Sequence, residues 1–242
     1  METRLEFAIL PQPDDETCGP TCLQAVYAYY GDHRPLAEVI AQITPLEHGG
    51  TLAVMLANHA LRSGRYRARI HTFNLQVFDP SWFDHPREHM RARLDAQATI
   101  TRNPKKRLAS QAYLEFLDHG GEVRFTDLTP ALLRKHLKRD QPILTGLSAT
   151  FLYRCPREVG SPLRYDDVKG DPQGHFVVLC GYDSESRRVL VADPLHTNPL
   201  SKSHFYEVDI DRLINAIMLG ILTYDANILV LEPIRVPAPS RD

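Results

Sequence analysis

The chain of 242 residues is 43% hydrophobic and 24% charged, and 28 Lys and Arg against 30 Asp and Glu leave a formal charge of −2. That length allows one large domain or two small ones, with a core that holds without staples. The charge balance excludes a dedicated nucleic-acid binder, the four scattered cysteines exclude a disulfide scaffold or zinc ribbon, and no apolar run approaches the ~20 residues of a membrane span.

The opening METRLEFAILPQPDDE lacks a long apolar stretch and turns acidic, so no signal peptide is expected. A soluble protein with free thiols in the reducing cytoplasm follows. A helix is predicted over Pro20–Tyr30, closed by Gly31 as C-cap. Further helices are predicted at Pro35–Ile43 and Thr51–Arg62, the latter ending at Gly64. Arg65–Val77 alternates as a strand, with Tyr66, Ala68, Ile70 and Thr72 on one side. The stretch Pro80–Gly120 reads as helical and charged, and its basic run Arg102–Arg107 reads as a solvated helix end or loop.

From Glu122 the pattern changes. Glu122–Phe125 is a short strand, Thr129 caps a helix Pro130–Lys138, and Pro142–Leu147 is a strand. Two strong β-runs, His175–Tyr182 and Arg188–Ala192, are joined by the turn DSES. Phe205–Val208 is a further strand, Asp209 caps a helix to Leu219, and Asn227–Leu231 is the last strand. There is no internal repeat, and only the tail from Val236 reads as a flexible end. Helices dominate the first half and strands the second, which indicates α+β with a mostly antiparallel sheet. We expect a single domain over 1–235: a helical lobe at about 1–120, including an insertion at about 65–120, and a sheet lobe at about 121–235.

Cys18 sits in DDETCGPTCLQAVYAYYG at a helix start. The macrodipole and the free N–H groups there favour thiolate over thiol, and the thiolate is the nucleophile. Gly19 leaves room for a substrate to approach. Gln12, six residues before Cys18, carries an amide that can donate to an oxyanion beside the Cys18 backbone N–H. His175 follows Gly174 and opens an apolar strand, where a polar imidazole is held rigidly and can serve as base and acid. Asp193 ends the return strand of the same hairpin, 18 residues after His175, so its carboxylate can face that imidazole. Cys22, one turn after Cys18, is better explained by the helix core than as a redox partner. Cys155 and Cys180 read as structural, Tyr153 and Trp82 as packing residues, and Cys155, His196 and His204 lack the spacing of a metal site.

The order Gln12, Cys18, His175, Asp193 resembles papain-like cysteine peptidases. The finer pattern is similar to that of the bacteriocin-processing, double-glycine-leader peptidases and their stand-alone relatives. It is carried early by Gln12, Cys18, Gly19, Pro20, Leu23, Tyr29 and Gly31. Later it is carried by Gly174, His175, Val177, Val178, Leu179, Gly181, Tyr182, Asp183, Val189, Asp193 and Pro194. The motif at Gly49–Thr51 also fits, while Pro80–Gly120 matches no part of the pattern.

The resemblance implies a two-lobed papain-like fold with Cys18 as nucleophile, His175 as base and acid, Asp193 as orienter and Gln12 as oxyanion donor, and no cofactor or metal. The double-glycine peptidases usually form part of an ABC transporter. This chain has no membrane span and no GxxxxGK[ST] loop, so the stand-alone relatives are the nearer guide. The expected activity is a thiol hydrolase acting on a peptide or amide bond. An acyl- or aminoacyl-transferase shares its first half-reaction, and a degenerate peptide-binding module is the non-enzymatic alternative.

Overall fold

The computed structural model describes residues 2–47, 49–160 and 164–234; the tail expected from Val236 lies outside the described residues. A short strand β1 (Glu2–Arg4) precedes helices α1 (Cys18–Tyr29), α2 (Leu36–Ala41) and α3 (Ala53–Arg62). Strand β2 (Tyr66–Thr72) leads through a 3-10 turn at Pro80–Asp84 to helices α4 (Arg87–Ile100) and α5 (Pro104–Asp118). Next come β3 (Glu122–Arg124), α6 (Pro130–Leu137), β4 (Ile143–Ser148), α7 (Ala149–Tyr153), β5 (Glu158–Val159) and β6 (Arg164–Tyr165). The chain closes with β7 (Gly174–Asp183), β8 (Arg188–Ala192), β9 (Phe205–Asp209), α8 (Ile210–Leu219), a 3-10 turn at Gly220–Thr223 and β10 (Asn227–Pro233).

The architecture is α+β. One sheet runs β3-β2-β10-β4-β7-β8-β9, antiparallel at every step except β2–β3. Strand β7 is its longest member. Strand β4 lies along Gly174–Leu179, and β1 takes the same edge further on, at Gly181–Asp183. Eight consecutive residues of β7, from His175 to Tyr182, are buried, so both faces are covered, and its middle, Phe176–Cys180, is apolar. One cover is α1, whose residues Cys18–Tyr27 are all buried. Its polar members there, Thr21 and Gln24, donate to the Thr17 and Arg34 carbonyls, so the helix can lie inside the molecule. Here α1 is wedged between the sheet and α3, with Tyr27 Oη 2.8 Å from His59 Nδ1.

Several boundaries differ from the sequence reading, each for a local reason. The strand predicted over Arg65–Val77 ends at Thr72, because Asn74 Oδ1 accepts from the Gln76 N–H at 2.9 Å and turns the chain. That strand also lies inside the main sheet, between β10 and β3, so the sheet draws on both halves of the chain. The helical stretch Pro80–Gly120 is broken at Thr101–Asn103. Asn103 caps α5 by accepting from the Lys106 N–H at 3.0 Å, and Pro104 fixes its first turn. The caps expected at Thr129 and Asp209 are both in place. Among the described residues no helix is long and apolar enough to cross a membrane.

Candidate active site

Three of the four residues singled out in the sequence meet at one end of β7. Cys18 is the first residue of α1 and is 7% exposed. Thr17, in the N-cap position, places no side-chain hydrogen bond on the first turn. His175 is the second residue of β7 and is also 7% exposed. Asp193 follows the last residue of β8 and is fully buried.

The register explains the meeting. Ala192 stands opposite Val178, so one step further puts Asp193 opposite Val177, whose side chain shares a face with that of His175. His175 Nε2 is accordingly 2.8 Å from Asp193 Oδ1. Cys18, at the start of α1, acts on the same imidazole from the other side of the pair. Burial would lower the His175 pKa. The Asp193 carboxylate and Cys18 outweigh it and raise the imidazole to about 10. Asp193 responds oppositely: burial raises its pKa, and the charge and hydrogen bond of His175 bring it below the usual carboxylate range.

Two groups that sequence reasoning missed complete the carboxylate's surroundings. Tyr153 Oη donates to Asp193 Oδ2 at 2.6 Å and Tyr206 Oη donates to the same oxygen at 2.8 Å. The Leu195 N–H adds a bond to Oδ1 at 2.9 Å. Burial, with the neighbouring carboxylate adding to it, pushes both phenols well up, so they remain donors. Tyr206 had a signal in the strand register: it stands opposite Val191, two residues before Asp193 and on its face. Tyr153 had none, because its place depends on α7. Ser148 caps that helix, Arg154 ends it in the left-handed region at φ 54°, and the Arg212 guanidinium holds the Leu152 carbonyl.

Gln12 is tied to this group through its backbone. Its backbone N–H donates to the Pro194 carbonyl at 2.9 Å, which ties its loop to the residue after Asp193. Its side-chain Nε2 donates to the Asp14 carbonyl at 2.7 Å, and Oε1 is buried with no partner. One Nε2 proton is thus engaged and one is open.

Gly19 also has a packing reason to lack a side chain. A Cβ there would lie 2.5 Å from Thr51 Cγ2 and 3.2 Å from Phe176 Cδ2, so the missing side chain lets α1 seat against α3 and β7. Cys22 is fully buried and its thiol donates to the Phe176 carbonyl at 3.3 Å, in keeping with a core role. His204 clamps the backbone of Asp193 through Nδ1 at 2.7 Å from its carbonyl. At the rim, Glu158 on β5 is pushed up by burial and by Asp15, with His175 partly offsetting them.

The model of the Peptidase_C39 like family matches residues 4–211. Among solved structures, the chain is similar to a double glycine motif protease from an AMS/PCAT transporter in complex with the leader peptide. The identity is 14% and the TM-score 0.45, over 96% of this chain and 95% of that one. It is similar to the peptidase domain of Streptococcus ComA, a bi-functional ABC transporter involved in a quorum sensing pathway. There the identity is 14% and the TM-score 0.42, over 93% and 98%. Xylellain, a cysteine protease from Xylella fastidiosa, shares 15% identity at a TM-score of 0.43, over 97% and 86%. No curated protein matches the chain.

Proposed function

The chain belongs to the Peptidase_C39 like family, and on that premise we propose that it is a thiol hydrolase of a peptide or amide bond, working through Cys18, His175 and Asp193. The observation that carries this reading is the buried 2.8 Å contact of His175 Nε2 with Asp193 Oδ1, on an imidazole that Cys18 reaches from the start of α1.

The steps follow from those contacts. The Cys18 sulfur attacks the carbonyl carbon, and a C–S bond forms as the carbonyl oxygen takes the negative charge. The open N–H of Gln12 and the Cys18 backbone N–H receive that oxyanion. His175 gives its proton to the leaving nitrogen as the C–N bond breaks. A water then loses a proton to His175 and attacks the thioester; the C–S bond breaks, a carboxylic acid leaves, and the thiolate and imidazolium are restored as the pair that began the cycle, His175 having first taken the Cys18 proton. Asp193 keeps the imidazole in one tautomer and stabilises its charged form, while Tyr153 and Tyr206 hold Asp193. The cysteines are free, and a cytoplasmic location suits a reaction that needs a reduced nucleophile.

A mixture of peptidyl-aminocoumarin substrates tests the reading. Release of fluorophore is expected from the native protein and not from Cys18→Ala, with an acyl adduct on Cys18 visible by mass spectrometry. Full activity in Cys18→Ala would sink the proposal. A product in which an added amine replaces water would convert the hydrolase into a transferase.

A further inference from the structure

A cavity of about 670 Å³ opens where the turn Pro80–Asp84, α4 and the start of α5 meet. None of Gln12, Cys18, His175 and Asp193 lines it. Its ionisable lining is His85, His89, Arg93 and Lys106, all bases. Glu88 and Asp95 belong to the same helix but are not part of the wall. Among the described residues neither Arg93 nor Lys106 forms an ion pair with an acid.

Arg93 Nε donates instead to His89 Nε2 at 3.3 Å, which holds that ring as a neutral acceptor. The His85 and His89 rings are 4.3 Å apart between centroids, with 37° between their planes. Trp82 forms a third aromatic surface, half-buried and packed edge-on against Phe78 at 6.4 Å. The side chains of Ile100 and Trp82 therefore border a space that bases surround.

Like charges gathered without acids repel one another. An arrangement of this kind is relieved by an anion. Of the basic run Arg102–Arg107, one member belongs here. Lys106 reaches the cavity, while Arg107 Nη2 donates to the Thr101 carbonyl at 2.7 Å and fixes the corner between α4 and α5.

We propose that this cavity is a binding site, separate from Cys18, for a small ligand that joins a phosphate or carboxylate to an aromatic ring. Arg93 and Lys106 take the anionic group, the guanidinium offering paired donors and the ammonium a point charge. Trp82 and the histidine rings take the flat part. The volume is in the range of small-molecule sites, roughly 300–1,000 Å³, and admits a ligand of mononucleotide size.

Trp82 is the sole tryptophan of the chain, so its emission reports on this cavity alone. The full chain is titrated with adenosine monophosphate, with adenosine and with inorganic phosphate. Saturable quenching by the monophosphate is expected, about tenfold tighter than by either fragment and weakened by salt. Arg93→Gln with Lys106→Gln should raise its Kd about tenfold and leave Cys18 alkylation by iodoacetamide unchanged. No saturation at millimolar monophosphate, or an unchanged Kd in the double variant, would overturn the site. Equal binding of phosphate and monophosphate would overturn its aromatic half. Binding is read independently of turnover, so failure here is distinct from failure of the hydrolase reading.

Discussion

Asp193→Asn keeps the size of the side chain and removes the charge that His175 faces at 2.8 Å. In the native protein that charge, with Cys18, holds the imidazole at about 10 against the burial that would lower it. Without the charge, burial is opposed by Cys18 alone and the imidazole falls toward its ordinary value of about 6.5. A gap of about 3.5 pH units corresponds to about 5 kcal/mol, an upper bound because Cys18 shares in it.

The sign is fixed by the direction. An imidazole raised in the folded state stabilises the fold fully below about pH 6.5, and that stabilisation is lost as pH rises through about 10. The native protein should therefore lose stability in urea between those limits, and Asp193→Asn should show a flatter profile there. The direct assay is the imidazole carbon or nitrogen shift of His175 followed by NMR against pH. At pH 8 a group titrating at about 10 is almost wholly protonated, whereas one at about 6.5 is protonated to about 3%. A His175 midpoint that stays put in Asp193→Asn would refute the pairing. Parallel urea profiles would refute the energetic argument.

Tyr153→Phe and Tyr206→Phe each remove an O–H donor to Asp193 Oδ2, and each should cost about 1.5–3 kcal/mol in urea unfolding; a loss below about 0.5 kcal/mol would show that the carboxylate does not depend on them. Gly19→Ala places a methyl 2.5 Å from Thr51 Cγ2 and should lower stability by about 1–3 kcal/mol through overpacking, measured by the same titration; unchanged stability would deny the close approach of α1. Asp225, buried beside Gly146, is pushed up to about 7 by burial, with Lys105 and Thr223 offsetting only part of it. A carboxyl raised in the folded state makes stability fall as pH rises from about 4 to 7, so Asp225→Asn should gain up to about 4 kcal/mol over the native protein at pH 8 and nothing at pH 4; a gain that does not change with pH would reject that account.

Much of the geometry of the candidate site was legible because its signals are local. A cysteine before Gly-Pro at a helix start, a histidine opening an apolar strand, and an aspartate before proline at the end of the next strand each show in a few neighbouring residues. A hairpin of known register then carries His175 and Asp193 to one face. The caps at Thr129, Asn103 and Asp209 obey the same short-range chemistry, although the one at Asn103 was lost within a long polar stretch.

Tertiary structure alone decided what joins distant segments. Tyr153 and Tyr206 lie 40 and 13 residues from Asp193 and converge on one carboxylate oxygen. The place of α7 put Tyr153 there with no pattern in the residues beside it, whereas Tyr206 follows from the pairing of β9 with β8. Strand β2 joins the sheet through β10, more than 150 residues away, because pairing is set by which edges the packed helices leave open. Gly19 reads locally as an opening for substrate, and the approach of Thr51 and Phe176, which also forbids a side chain there, shows only in the packed fold. Sequence by itself determined which residues have chemistry to offer and the strand periodicity that aligns two of them. Packing decided which buried donors hold the carboxylate, because a buried charge must find its partners wherever the fold brings them.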